Sequence, residues 1–171
     1  MDRRQIRIAL PTVALGGVAF LVPAAAGPQA AAAEHVVSEG VFSTAGPAWT
    51  YDPVVPTGAS AVVRTVETGS GRTVATLHVR GFAPSTEFSV HAHTGACGSN
   101  PLASAGHYQH HVGGAVDDAN ELWLGFSTNP AGNGNAQAVV EWEFRTGGAR
   151  SVTFHDPSQA GKRVACLPVA F

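Results

Sequence analysis

The sequence FSVHAH at residues 88–93 alternates apolar and polar residues, and it decides how the rest of the chain is interpreted. In a β-strand, residues two apart share a face, so the apolar side chains would enter a core while His91 and His93 point outward together. Two imidazoles on one rigid strand form half of a metal site, and imidazole suits copper, zinc, nickel and iron. Surface strands also carry polar residues at every second position, so the pair alone does not establish a metal site.

The chain beyond this strand is built from similar short runs. After a lead segment at residues 34–58, β-branched runs alternate with Gly, Pro and Asn, and no long helical periodicity occurs. The predicted strands are 60–67, 73–79, 87–93, 121–128, 134–144, 151–155 and 163–169. Seven or eight antiparallel strands around one core are typical of a Greek-key β-barrel or sandwich. We therefore expect an all-β, eight-stranded Greek-key domain over residues 59–171, with one long metal-binding loop.

The first 33 residues have the features of an export signal. Three arginines begin it, an apolar stretch follows at residues 8–22, and alanine-rich sequence leads to Ala33. The apolar stretch of about fifteen residues is shorter than the roughly twenty that span a bilayer, which favours a cleaved signal peptide over an anchor. We expect an exported protein, whether secreted, cell-wall associated or periplasmic, with no membrane attachment after cleavage.

Charge and cysteine content bound the partners and the compartment. Residues 34–171 hold seven Lys and Arg (ten less three in the signal) against eleven Asp and Glu (twelve less Asp2), a formal charge of -4. This balance argues against nucleic acid as a partner. The only cysteines are Cys97 and Cys166, and in an exported chain the default is that they pair.

Most histidines gather at strand ends and in the long segment at residues 94–120. Six of the eight fall there: His91, His93, His107, His110, His111 and His155. His155 leaves its predicted strand on the face away from Val152 and Phe154. We expect the strand histidines to meet on the outer wall of the domain, with a loop histidine folded over them.

Five short motifs carry a resemblance to a known family. They are residues 88–93, Cys97, Ala105-Gly106-His107-Tyr108, Thr153-Phe154-His155 and Arg163-Val164-Ala165-Cys166. In order and context they resemble the copper,zinc superoxide dismutase family, in the form of a secreted bacterial member, and the match spans residues 73–171. The resemblance implies a copper site at His91, His93, His107 and His155. It also implies that His107 bridges copper and zinc, that Cys97 pairs with Cys166, and that Arg163 attracts the superoxide anion.

The zinc half-site of that family is incomplete in this sequence. After His107 the candidate zinc ligands are His110, His111, Asp117 and Asp118. Adjacent residues in extended chain point apart, so His110 and His111 do not suit one ion, although His107, one of that pair and an aspartate could still hold zinc. Only ten residues separate His155 from Cys166, so the family's second loop is also short. Both losses resemble copper-only members, and we expect copper with zinc left open as a second metal.

The resemblance implies an enzyme, an antioxidant oxidoreductase that dismutes superoxide to oxygen and hydrogen peroxide by alternate reduction and reoxidation of copper. Arg163 and His107 would be its catalytic residues, the first as a fixed positive charge and the second as a proton carrier. Superoxide is the expected partner, and a homodimer is compatible with the family. The alternative is a noncatalytic exported copper-binding β-domain, which would be indicated if Arg163 faced away from the histidines. A blue-copper carrier is disfavoured because the only methionine is Met1.

Overall fold

The computed structural model describes residues 33–159 and 161–171. The predicted signal peptide lies outside them, apart from Ala33. The strands are β1 (Glu34–Val41), β2 (Trp49–Thr50), β3 (Ser60–Glu67), β4 (Thr73–Arg80), β5 (Glu87–His93), β6 (Phe126–Ser127), β7 (Gly134–Val140), β8 (Ser151–Asp156) and β9 (Lys162–Pro168). One 3-10 helix, Pro101–Ser104, lies between β5 and β6.

These strands form two antiparallel sheets. Sheet A has the order β1-β3-β4-β7, and sheet B has the order β2-β9-β8-β5-β6. The all-β prediction is confirmed. The sheets do not close into a barrel, so of the two predicted architectures the structure corresponds to the sandwich.

The predicted strands agree with the structure where the apolar alternation is regular. β3 and β5 have the predicted bounds, β4 and β8 are one residue longer than predicted, and β9 is shifted by one residue. The predicted strand at 121–128 shrinks to the two residues of β6, although Leu124 N still donates to Val90 O at 2.8 Å. β1 was not predicted, because its apolar residues do not alternate cleanly; its full-length pairing with β3 is a tertiary effect.

The space between the sheets is filled by the inward faces of both. Ala61 and Val63 on β3 and Ala75 and Leu77 on β4 are buried against residues of sheet B. An aromatic cluster packs edge-to-face and stacked at ring separations of 5.2–6.4 Å: Phe42, Phe82, Phe88, Phe126 and Phe154. Since this cluster includes residues of β5 and β8, packing fixes the two strands that carry the histidines.

The segment at residues 94–107 is tied back onto sheet B. A disulfide joins Cys97 to Cys166 on β9, and Ser151 Oγ donates to Gly95 O at 2.7 Å. At the end of the segment Tyr108 N donates to Ala92 O at 2.8 Å, so the chain returns to β5. A disulfide suits an oxidising compartment.

The described part of the chain contains no helix of the length and apolarity needed to cross a membrane.

Candidate metal centre

Four imidazoles converge on the outer face of sheet B. His91 and His93 lie on β5, and His155 lies on the neighbouring β8. His107, at the end of the loop, pairs with His93 through an isolated antiparallel β-bridge of the backbone. The potential ligand atoms of these four residues, hereafter the histidine cluster, all lie within 4.8 Å of one another. A register shift between Phe154 and His155 in the β8–β9 pairing occurs at the cluster itself.

Two of these rings already commit their outer nitrogens to carbonyl groups. His93 Nδ1 lies 3.1 Å from Ala105 O, and His155 hydrogen-bonds the backbone of Gly161. With those nitrogens acting as donors, the opposite Nε2 atoms carry lone pairs. The Nε2 atoms of His93 and His155 are 3.2 Å apart. Two facing lone pairs repel each other, and a cation between the rings removes that repulsion.

The other two rings, those of His107 and His91, each have one ring nitrogen free to bind a metal. His107 Nδ1 lies 2.7 Å from Glu121 Oε2, which leaves His107 Nε2 free. His91 Nδ1 is buried and has no hydrogen-bond partner within the described residues. A buried polar atom without a partner is costly, and metal ligation would satisfy it. The donor set is therefore three Nε2 atoms and one Nδ1 atom.

Burial keeps the strand imidazoles neutral. Burial lowers the pKa of His91 to about 4 and that of His93 to about 3, with further lowering from the neighbouring histidines. Burial and His107 together lower the pKa of His155 to about 4. A neutral imidazole is the form that binds a metal, so these side chains are ready to act as ligands near neutral pH. The cluster fits a transition-metal ion, and the geometry does not choose among copper, zinc, nickel and iron.

Glu121 is a site residue that the sequence interpretation missed. Its side chain is 2% exposed and accepts from His107 Nδ1, from Trp123 Nε1 at 3.1 Å, and from Gln109 Nε2 at 3.1 Å. Burial alone would raise the pKa of Glu121, but these three hydrogen bonds outweigh it and lower the pKa below its usual value. The alternation of Leu122 with its neighbours was the available signal, because it places Glu121 on the face opposite the core.

The guanidinium of Arg163 lies beside the cluster. Arg163 stands opposite His155 in the β8–β9 register. Its nitrogens donate to Pro101 O at 3.0 Å, to Ser104 Oγ at 3.1 Å and to Ala105 O. Because Ala105 O also accepts from His93, one carbonyl links the arginine to a candidate ligand. The side chain does not face away from the histidines.

The four candidate zinc residues are not brought together. Among the described residues, the histidine cluster is the only group of three or more close metal-ligand side chains. His110 and His111, hereafter the loop pair, have ring centroids 4.6 Å apart, and the His110 ring stacks on Trp142 at 5.2 Å. Asp117 Oδ1 accepts from Asn120 N and closes a turn. Asp118 is exposed.

Comparisons with known proteins bear on the fold. No protein-family model matches the chain, and no curated protein matches it in sequence. One similar solved structure is the crystal structure of the clock protein EA4, with a TM-score of 0.53 and 12% sequence identity; the match covers 85% of this chain and 98% of that one. At this identity the likeness concerns the fold alone, and it supports one β-domain across most of the described residues.

Proposed function

We propose that the histidine cluster binds copper and that the protein dismutes superoxide to oxygen and hydrogen peroxide, as a copper-only member of the copper,zinc superoxide dismutase family. The observation that carries the proposal is the pairing of two features at one place. Four imidazole nitrogens face a common centre, and the guanidinium of Arg163 is fixed to the carbonyl that also holds His93. A simple metal store would need only the first feature.

Copper is the metal that the resemblance implies, and it has the two oxidation states that this chemistry needs. Nitrogen ligation from four imidazoles suits Cu(II), and a set that can fall to three ligands suits Cu(I). Held by the four imidazoles, copper would supply the electron exchange by which one superoxide is oxidised to oxygen and a second, with two protons, is reduced to hydrogen peroxide.

Arg163 supplies the fixed positive charge. Its three acceptors lie in or next to the 3-10 helix, so the side chain is held in place before any anion arrives. A pre-positioned cation raises the local concentration of superoxide and orients it without a reorganisation cost. The short connection between β8 and β9 offers little other charge for this purpose, which makes Arg163 the main attraction for the anion.

His107 is placed to carry a proton. Its Nδ1 donates to Glu121, so Nε2 faces the centre and can act either as a ligand or as the holder of a proton. When both ring nitrogens are protonated, the adjacent carboxylate stabilises the imidazolium. Delivery of that Nε2 proton to the peroxide product would complete His107's part in the reaction.

The same carboxylate supports the copper-only assignment. In a bridged site Nδ1 of His107 would face zinc, but here Glu121 Oε2 lies 2.7 Å from it. The buried carboxylate thus occupies the place that the second cation would take. Among the described residues His110, His111, Asp117 and Asp118 form no group of three or more close ligands, which agrees with this.

The strand order and the disulfide support the finer points of fold and location. In both sheets strands that are distant in sequence lie side by side, β4 with β7 and β5 with β8, as Greek-key connections require. The described residues form nine strands, of which β2 and β6 are only two residues long, against the eight of the proposed fold. The Cys97–Cys166 disulfide agrees with export.

The direct test is the decay of superoxide after rapid mixing with the purified protein loaded with copper alone. Metal-free protein and protein loaded with zinc alone serve as controls, because zinc has no second oxidation state to use. We expect catalytic decay only with copper. Stoichiometric copper binding with no decay above the controls would overturn the proposal in favour of a noncatalytic copper-binding domain.

A further inference from the structure

The outer face of sheet A carries a polar depression far in the fold from the histidine cluster. The depression has a volume of about 780 Å³ and is lined by side chains of β3 and β4 and by the residues around the start of β7. Its lining includes Arg64, His78, Arg80, Asn133 and Asn135. All five are exposed, while the alternate residues of the same strands are buried in the core.

Among the described residues, neither Arg64 nor Arg80 has a partner for its guanidinium group. Neither guanidinium forms an ion pair or a hydrogen bond with any residue in the described ranges, whereas Arg72 pairs with Glu141 and Lys162 pairs with Asp52. An uncompensated pair of guanidiniums in one depression is notable in a chain whose residues 34–171 carry a formal charge of -4. Glu39 is paired in register with Val62 but does not line the depression. The lining is therefore cationic.

The register arranges this charge along the strands. Arg64 on β3 lies beside Thr76 on β4. Arg80 lies four residues after Thr76 on β4, and His78 lies midway between Thr76 and Arg80. At about 3.3 Å per residue, the backbone levels of Arg64 and Arg80 are roughly 13 Å apart along the strands. One small anion does not reach both levels, but two charged units of an extended polymer do.

The side chains beside this line recognise hydroxyl groups. Asn135 stands next to His78 in the β4–β7 register, and Asn133 lies just before β7. Among the described residues neither amide group takes part in a side-chain hydrogen bond, so each offers a free donor and a free acceptor. No Phe, Tyr or Trp lines the depression, so it lacks the large aromatic platforms on which nucleic-acid bases commonly stack.

We propose that this face of sheet A binds an anionic polysaccharide, with Arg64 and Arg80 on two carboxylates of the chain and Asn133 and Asn135 on its hydroxyl groups. Guanidinium groups pair with carboxylates in a planar, two-bond geometry, which favours such a ligand over a hydrated point charge. The site is independent of the proposed copper chemistry, because it lies on the other sheet.

The test measures binding of the whole protein to polygalacturonate at low salt, with neutral dextran as the matched polymer. Wild type should bind polygalacturonate and not dextran, and affinity should fall as salt is added. The double variant Arg64→Gln/Arg80→Gln should bind about tenfold more weakly. Arg72→Gln/Arg150→Gln removes the same charge elsewhere and should stay within about twofold of wild type. Unfolding midpoints of all variants establish that the fold is intact.

A second variant separates charge from hydroxyl recognition. Asn133→Ala/Asn135→Ala should weaken polygalacturonate binding several-fold, by about the amount expected for two exposed hydrogen bonds, and leave the salt dependence unchanged. The proposal is overturned if polygalacturonate does not bind, if dextran binds equally, or if both arginine pairs have the same effect. Preferential binding of duplex DNA or of phosphatidylglycerol vesicles at this face would also overturn it.

Discussion

The histidine cluster and the loop pair are two histidine-bearing regions with similar parts and different outcomes. Each has an arginine that donates to backbone carbonyls beside its histidines. Arg163 donates to Pro101 O and Ala105 O, and Arg145 donates to Gln109 O at 2.9 Å and His110 O at 2.6 Å. Within the part of the chain that the structure describes, only the cluster forms a group of three or more potential ligands whose atoms lie within 4.8 Å of one another.

The difference lies in what holds the rings. Three rings of the cluster stand on adjacent strands that are fixed by a packed aromatic core, whereas the loop pair occupies consecutive positions of one loop. In the loop pair, the ring of His110 stacks on the ring of Trp142. Strand register thus positions three of the four rings of the cluster, and an arginine clamp on nearby carbonyls does not by itself produce such convergence.

The largest expected effect is the loss of bound copper when a histidine of the cluster is replaced, with no loss when a histidine of the loop pair is replaced. His93→Ala should abolish detectable dismutation and weaken copper binding by more than about 100-fold, since even the partners of metal ligands are worth about 10–100-fold. His111→Ala should leave both unchanged. Copper content and competition with a chelator measure the binding. Equal copper loss in the two variants would mean that the loop pair also holds the metal.

The disulfide lies beside the histidine cluster, and its removal should lower the stability of the protein. It ties residues 94–107, which end at the cluster, to β9, and it closes a loop over a sequence separation of 69 residues. Cys97→Ser/Cys166→Ser should lower the free energy of unfolding by about 4 kcal/mol through the entropy of the unfolded chain. Denaturant unfolding measures this, with reduced wild type as the comparison. An unchanged midpoint would show that the hydrogen bonds of the segment suffice.

The two arginines provide a matched pair of variants. Arg163→Gln should lower the rate of superoxide decay by about 10–100-fold and flatten its dependence on salt, because the fixed charge beside the cluster is lost. Bound copper should remain. Arg145→Gln also removes one charge from a carbonyl clamp and should leave the rate within about twofold. Copper loss from the Arg163 variant, or equal rate losses in both variants, would contradict an anion-attracting role.

The regular strands and the candidate ligands on them could be predicted from sequence. The alternation at residues 88–93 places His91 and His93 outward, and the alternation at 151–155 does the same for His155. Both follow from local geometry with period two. The order of motifs then pointed to His107 and to the disulfide partners.

The remaining features depend on contacts that no local pattern encodes. β1 forms because β3 offers an edge along its full length, although Gly40 and Glu34 weaken its own strand signal. Glu121 was missed for a similar reason: a lone carboxylate at the start of an apolar run becomes a site residue only when the loop brings His107 to it. The shift at His155 also arises from the pairing of β8 with β9.

The smallest expected effect concerns Glu121, and it asks whether a carboxylate has replaced the second metal. Glu121→Gln keeps the shape but leaves one oxygen for the donors of His107, Gln109 and Trp123, so at least one of these donors loses its partner. Copper affinity should fall about tenfold because the ring of His107 is no longer held in one tautomer.

Zinc completes that test. Zinc added to copper-loaded wild type should change neither the rate of superoxide decay nor the copper spectrum, because His107 Nδ1 already donates to the carboxylate. His110→Ala/His111→Ala is the control and should behave as wild type. If zinc accelerates the wild-type reaction and the control variant loses that response, the loop pair is a zinc site, and the contrast between the two histidine regions is one of metal identity and not of metal binding.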